Sequence, residues 1–365
     1  MGVINWAQFN YSIAMKKESS QTIIQKMLTT TPPAFSAEDV MRAAFNNYGI
    51  RAQTRPLVSE RDQNFLLDAD DGKRYTLKIS NSAEQLQVID FQNKALLHVA
   101  NQDPSFPLPR VIPGLNGQRH FNLESGGKTH FVRVFSWVEG RILDELPADA
   151  ALTNRLGGLL ARLGLALKGF DHPGSNPPSL WDMKRAAGLA DLLDYIEEPG
   201  LRRLVSRTLD RFVKLKPELD TLRTQVIHND MSRGNVVMDK TQSDQISGII
   251  DFGDMTRSPL IIDLAVAAAY QLSDGDDPLS GALPMITGYH AIRPLQNLEM
   301  VLLTDLIRTR LITSLLVNSY RVTLFPENRE YLMISRKPAI NFLTGLERLS
   351  TDDALERIET ACTFA

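Results

Sequence analysis

The stretch VIHNDMSRGNVVMD, residues 226–239, sets His, Asn, Asp, Ser, Arg and a second Asn between two short β-branched runs. A second stretch of the same design follows at 249–254, IIDFGD. Apolar runs of this length read as short strands, and each ends in a polar cluster, as strands do when they deliver side chains to a cleft. Buried polar groups are costly without partners or a purpose, so this density of them marks the functional centre of the chain.

Around that centre the texture divides. From Pro56 the pattern alternates with period two: PLVSERDQNFLLDAD and KRYTLKIS flank the Asp70-Asp71-Gly72 turn signal, which predicts an antiparallel hairpin. EQLQVIDFQNKALLHVA then places Leu86, Ile89, Leu96, Leu97 and Val99 at helical spacing. Strands return in PLPRVIP, RHFNLE and HFVRVFSWV, the last two around Ser125-Gly126-Gly127. Residues of about 50 to 138 thus form a small sheet with one inserted helix. After Gly140 three long segments, DALTNRLGGLLARLGLALKGF, PGLRRLVSRTLDRFVKL and LEMVLLTDLIRTRLITSLLVNSYRVTL, carry i, i+3, i+4 apolar spacing. Upstream, SAEDVMRAAFNNYG has Ser36 as N-cap and Gly49 as stop of a short amphipathic helix. The expected organisation is an N-terminal arm over 1–35 ending at Pro32-Pro33, a small lobe over 36–138 and a helical lobe over 139–365.

Composition sets outer bounds. A chain of 365 residues, 43% hydrophobic and 23% charged, exceeds what one core usually organises, which agrees with two lobes. The formal charge of -3 includes no basic field for nucleic acid and no polybasic run for a membrane surface. The single Cys362 permits no internal disulfide, and the first residues lack the order of a signal peptide, so a cytoplasmic protein is expected. PLIIDLAVAAAYQL is the most apolar segment, but it carries Asp263 and is short of the roughly 20 residues of a spanning helix, so it reads as a buried helix.

In order along the chain the two loops supply Asp230, Asn235 and Asp251. Transfer of a phosphoryl group needs such a set, because the protein's task is positioning and charge neutralisation. A carboxylate must face the attacking hydroxyl, which suits Asp230. Magnesium takes one or two carboxylates with waters and phosphates, which suits Asn235 and Asp251. Spacing strengthens the reading: protein kinases carry H-R-D, four residues and Asn, then D-F-G. Here His228-Asn229-Asp230 precedes Met231-Ser232-Arg233-Gly234 and Asn235, and Asp251-Phe252-Gly253 follows.

With these residues the chain resembles the aminoglycoside phosphotransferase and choline kinase superfamily, whose catalytic loop commonly reads H-G-D. PLVSERDQNFLL, FQNKALLHVA, LARLGLALKGFDHP and LWDM resemble its hydroxylysine kinase branch, and the likeness runs from about Phe35 to the C-terminal helices. It implies a two-lobe, protein-kinase-like α+β fold, an antiparallel sheet beside a mainly helical lobe, binding ATP or GTP with Mg2+ in the cleft. Lys78, on the third strand, takes the place of the phosphate-pairing lysine. The Glu that usually pairs with it is missing: register on the following helix gives Gln92, with Asp90 as the other possibility. SERDQNF lacks the glycines of a kinase nucleotide loop, leaving Ser59 to Asn64, with backbone N–H groups and the Ser59 hydroxyl, to close over phosphates. The linker at Val134 to Val138, including Phe135 and Trp137, is expected to read the purine through its backbone.

His228 is expected to brace the loop and Asp263 to anchor its backbone, while Asp254 either assists the metal or caps the next turn. For the acceptor, the helical lobe offers Trp181, Asp182, Tyr270, Arg308 and Arg310. An Arg would clamp a carboxylate and Asp182 or another acid meet an ammonium, which fits a hydroxy-amino acid. Trp181 as core and the arginines as surface or salt-bridged residues is the stronger, opposing reading. Hydroxylysine is the leading acceptor by resemblance; homoserine, choline, ethanolamine or an aminoglycoside are alternatives. A catalytically silent nucleotide-binding module is the competing class, and a protein kinase is disfavoured because no A-P-E segment follows DFGD.

Overall fold

The computed structural model describes residues 30–59, 61–147, 149–242 and 244–363. Most of the expected N-terminal arm therefore lies outside the described residues. Helix α1 (Ala37–Tyr48) begins at Ser36 with a full capping box, Ser36 and Asp39 satisfying each other's backbone N–H, and ends at Gly49 with φ 69°. Strands β1 (Ala52–Leu57), β2 (Gln63–Ala69) and β3 (Arg74–Ile79) follow, then helix α2 (Leu86–Gln102), β4 (Val111–Ile112), β5 (Phe121–Ser125) and β6 (Lys128–Ser136). The antiparallel sheet runs β1-β2-β3-β6-β4, with β5 also paired to β6.

Period-two alternation splits this sheet into two chemically different faces. Phe65, Leu67, Leu77, Ile79, Val132 and Val134 bury against Val40, Ala44 and Tyr48 of α1 as one core. The opposite face carries a cross-strand row in which Lys78 lies between Asn64 of β2 and Arg133 of β6. Three neighbouring polar side chains in one row of a sheet make a binding surface more readily than a scaffold.

The second part is mainly helical. It contains β7 (Arg141–Ile142), α3 (Ala150–Ala166), an extended 3-10 segment Met183–Tyr195, α4 (Pro199–Leu219) and β8 (Thr224–Ile227). After these come β9 (Val236–Met238), β10 (Ile246–Ile249), β11 (Thr256–Pro259), α5 (Leu260–Ala269), α6 (Leu283–Ile292) and α7 (Asn297–Leu324). Helices α8 (Arg329–Met333), α9 (Arg336–Leu346) and α10 (Thr351–Thr363) close the chain. Every residue of α5 is buried, as its apolar sequence predicts. Helices α3 and α6 cross closely because each presents a glycine: a Cβ on Gly157 would sit 2.0 Å from Met285 O, and one on Gly288 1.9 Å from Asn154 O. Among the described residues no helix is long and apolar enough to cross a membrane.

The two polar loops come from different ladders. β8 pairs with β11, a strand the sequence pattern did not reveal, whereas β10 pairs with β9. Ile250 fastens the loops together, donating its N–H to Asn235 O (2.9 Å) while its carbonyl lies 3.3 Å from His228 Nε2.

Candidate active site

The loop after β8 is held by one buried carboxylate. Asp263, on the first turn of α5, accepts the backbone N–H of Asn229 (2.8 Å) and of His228 (3.2 Å). It is 4% exposed, and burial pushes its carboxyl up while His228 and the two N–H bonds pull it down. Asn229 stands at φ 67°, a left-handed conformation that Asn and Gly tolerate better than other residues. Asn at the middle of His228-Asn229-Asp230 therefore suits the turn that presents Asp230. The fully buried His228 accepts the N–H of Asp230 at Nδ1 (3.2 Å) and faces Ile250 O with Nε2. Those partners fix the Nε2-protonated tautomer and make it the expected brace.

The Asp230 carboxylate is surrounded. Oδ2 accepts Asn235 Nδ2 (2.8 Å), and Oδ1 accepts the Tyr270 hydroxyl (3.0 Å) and Arg310 (3.1 Å). Burial pushes the Asp230 carboxyl up to about 6, opposed by the Arg310 charge and assisted by Asp254. Tyr270 is pushed up to about 12 by burial, so at neutral pH it keeps the proton it donates. Arg310 also donates to the Tyr270 oxygen (2.6 Å) and stacks on Trp181, 5.0 Å from the ring centre. Its Nε and Nη1 are buried without a hydrogen-bond partner among the described residues.

Asn235 spends its Nδ2 on Asp230 O and Oδ2, both at 2.8 Å, which leaves its amide oxygen as the atom for a cation. Asp251, at φ 56°, has a half-exposed side chain whose Oδ1 accepts Gly253 N–H (3.2 Å) and lies 3.8 Å from Lys78 Nζ. One amide oxygen and one carboxylate form a donor set suited to a hard cation that keeps water and phosphate ligands. Asp254 accepts Asn229 Nδ2 through its backbone oxygen (3.2 Å), so it locks the two loops to each other.

Several expectations are corrected. Lys78 is paired with neither Gln92 nor Asp90: Asp62, at the end of the β1–β2 loop, lies 3.0 Å away. Gln92 is buried and instead bridges Arg133 Nη1 (2.9 Å) to the Gly253 carbonyl (2.9 Å). Asp90 points to His172 (3.0 Å) and Lys94 (2.7 Å). Asp182 has no exposed side-chain surface and pairs with Lys184 and Arg185, each at 3.1 Å, so it is withdrawn from the cleft. Arg308 is a buried strut reaching Asp305 and the carbonyls of Leu346 and Leu349. Arg233 ties its loop to the carbonyls of Leu143 and Leu146.

The nucleotide-side residues are placed as follows. Asn64 neighbours Lys78 in the sheet with a buried Oδ1 that has no partner among the described residues. Ser59 sits in the β1–β2 loop beside the exposed Val58. Phe135 is in the ladder between β3 and β4, and Trp137 N–H donates to Arg74 O (3.1 Å), so these linker positions already use backbone groups. Sequence reasoning missed Asp62 and Arg133. The alternation in HFVRVFSWV, which sets Arg133 on the face opposite Val132 and Val134, was the signal available for the second.

Taken together, an antiparallel sheet bearing a half-buried lysine, joined to a helical part bearing two acidic loops, defines a phosphotransferase of the kinase-like class. Residues 53–295 match the profile of the phosphotransferase enzyme family, APH, and the chain belongs to that family. It is an enzyme transferring phosphoryl groups to alcohol acceptors. It is 27% identical over 337 residues to a hydroxylysine kinase of Danio rerio, covering 89% of this chain and 95% of the relative. A homoserine kinase of Gluconobacter oxydans (strain 621H) is 29% identical over 214 residues, covering 56% and 63% respectively. Among solved structures, an amicoumacin kinase in complex with AMP-PNP and Ca2+ superposes with a TM-score of 0.64 at 15% identity, covering 82% of this chain and 93% of that one.

Proposed function

We propose that this protein transfers the γ-phosphoryl group of ATP or GTP to the hydroxyl of a small hydroxy-amino acid, with hydroxylysine the favoured acceptor. One observation carries the choice of an amino acid: Arg310, beside Asp230, holds buried Nε and Nη1 donors that have no acceptor among the described residues. Buried guanidinium donors without a partner are costly, and with Nη2 engaged by Asp230 and Tyr270, a substrate carboxylate oxygen that reaches one remaining edge of the guanidinium relieves part of that cost. The near full-length likeness to a hydroxylysine kinase supports the same choice.

In this reading Asp230 orients the acceptor hydroxyl and takes its proton as the new oxygen–phosphorus bond forms. The bond from the γ-phosphorus to the bridging oxygen breaks, and the nucleoside diphosphate leaves with those electrons. Lys78 meets the phosphates, with Ser59 and Asn64 lining the loop above them. The linker from Phe135 to Trp137 and onward to Val138 flanks the purine. Asn235 and Asp251 would hold magnesium, which when bound neutralises charge on the phosphate oxygens. Trp181 and Tyr270 shape the acceptor side around Arg310.

The test is a coupled nucleoside-diphosphate release assay with ATP and with GTP over hydroxylysine, homoserine, choline, ethanolamine and an aminoglycoside. Turnover with hydroxy-amino acids at least tenfold above that with acceptors lacking a carboxylate supports the proposal. Equal or better use of choline or ethanolamine contradicts it.

A further inference from the structure

The unusual feature of the nucleotide side is how its lysine is held. Lys78 and Arg133 are directly opposite in the β3–β6 ladder, and like charges at such positions repel. Arg133 is only 3% exposed and the Lys78 side chain 19%, so neither charge is relieved by full hydration. In kinases a glutamate on the helix packed against the sheet holds the strand lysine. Here α2 supplies the neutral Gln92, engaged with Arg133 and Gly253, and its nearby acid Asp90 is committed to His172 and Lys94.

Two carboxylates face Lys78, Asp251 at 3.8 Å and a closer one from the loop. Asp62 Oδ2 is 3.0 Å from Nζ, and the Asp62 side chain is 16% exposed. Its other oxygen accepts the backbone N–H of Asn81 (2.9 Å), just beyond the end of β3. The Asn81 side chain completes a clamp, with Nδ2 donating to Arg61 O (3.2 Å) and Oδ1 accepting Ala83 N–H (2.9 Å). Asp62 therefore sits in a built socket rather than on a free loop. Among its neighbours, Lys78 and Arg61 pull its carboxyl below the usual range against the upward push of burial.

We propose that Asp62 is the positioning residue that holds Lys78 for the nucleotide phosphates, so that the segment closing over the nucleotide and the lysine gripping it are set by one ion pair. The inference rests on the phosphotransfer reading of the site, but it concerns the nucleotide alone. It has two consequences: the lysine is held independently of any acid on α2, and a shift of the β1–β2 loop displaces Nζ directly.

The test uses full-length Asp62→Asn, Asp62→Glu, Lys78→Met, the double variant Asp62→Asn/Lys78→Met, and Asp90→Asn as control. Each is measured for melting temperature, nucleotide affinity by equilibrium titration, and steady-state kinetics with either substrate varied. Asp62→Asn is expected to weaken nucleotide binding and lower kcat, each about tenfold or more, with the acceptor KM within about twofold of wild type. Asp62→Glu, which keeps the charge on a longer arm, falls between them. The double variant should be no worse than Lys78→Met, because Asp62 acts through that lysine. Asp90→Asn leaves nucleotide affinity unchanged.

Unchanged or tighter nucleotide binding in Asp62→Asn overturns the proposal, the latter meaning that Asp62 merely competes with phosphate for the lysine. Additive losses in the double variant also overturn it. If Asp62→Asn does not fold, Asp62→Glu decides: wild-type nucleotide affinity and kcat in that variant count against a positional role. Because affinity is read without an acceptor, failure of the hydroxy-amino acid reading leaves this result interpretable.

Discussion

Arg310 lies 3.1 Å from Asp230 Oδ1 and 2.6 Å from the Tyr270 hydroxyl, so one guanidinium from α7 bonds to both groups. It does so while 4% exposed and stacked on Trp181. The Arg310→Met variant should raise the KM for a hydroxy-amino acid by about tenfold to a hundredfold, as expected for losing a hydrogen-bonded charge. The nucleotide KM should change little. Steady-state kinetics with each substrate varied check the split.

The same pair makes a pH prediction. Asp230 is displaced upward to about 6, by burial first and against the pull of Arg310. A general base must be ionised, so kcat/KM should fall as pH drops through about 6. Removing the Arg310 charge takes away the downward pull, so the acid limb of Arg310→Met should move to higher pH. Profiles of kcat/KM for both proteins measure the displacement, and its direction is the discriminating quantity.

Backbone conformation at Asn229 gives a third expectation. At φ 67° a glycine is unstrained, whereas a β-branched residue is disfavoured by about 1–2 kcal/mol or more. Asn229→Gly should keep activity within a few fold, despite losing the bond to Asp254 O, while Asn229→Val should lose both stability and turnover. Thermal melting combined with turnover separates these two variants.

Asp263 accepts two backbone N–H groups, and an amide replacing it turns an NH2 toward one of them. Asp263→Asn should destabilise the protein by about 1–3 kcal/mol. It should also lower kcat, because the loop that carries Asp230 loses its anchor. Denaturant unfolding monitored beside activity tests both effects.

Gly253 bears on Asp251 through space. A Cβ there would approach Asp251 Oδ1 to 3.0 Å and Lys78 Nζ to 3.9 Å. Gly253→Ala should therefore raise the magnesium concentration needed for half-maximal rate more than it changes the acceptor KM. A metal titration at saturating nucleotide measures this.

How much was legible beforehand follows from which interactions are local in the chain. The loops were readable because H-N-D-x4-N and D-F-G place their groups within a few residues, and Asp263 because a lone acid in an apolar helix must find donors. The sheet and its alternation were readable from period two, and α5 from its unbroken apolar run. Asp62 was not, since its pairing with Lys78 depends on how the β1–β2 loop folds back over the strand, which periodicity does not encode. Asp182 looked like a site acid beside Trp181; its partners Lys184 and Arg185 turn it inward at the start of a 3-10 segment that apolar spacing does not announce. The close α3–α6 crossing was hidden for a similar reason, because Gly157 and Gly288 meet backbone far away in sequence.

The most direct test of the whole account is Asp230→Asn in the presence of hydroxylysine, nucleotide and magnesium, read as nucleoside-diphosphate release and as phosphorylated product. Wild-type protein should form product, while Asp230→Asn should fall by about a hundredfold or more, as expected for loss of a general base, with nucleotide affinity and melting temperature retained. Product formation by Asp230→Asn within a few fold of wild type would contradict the account.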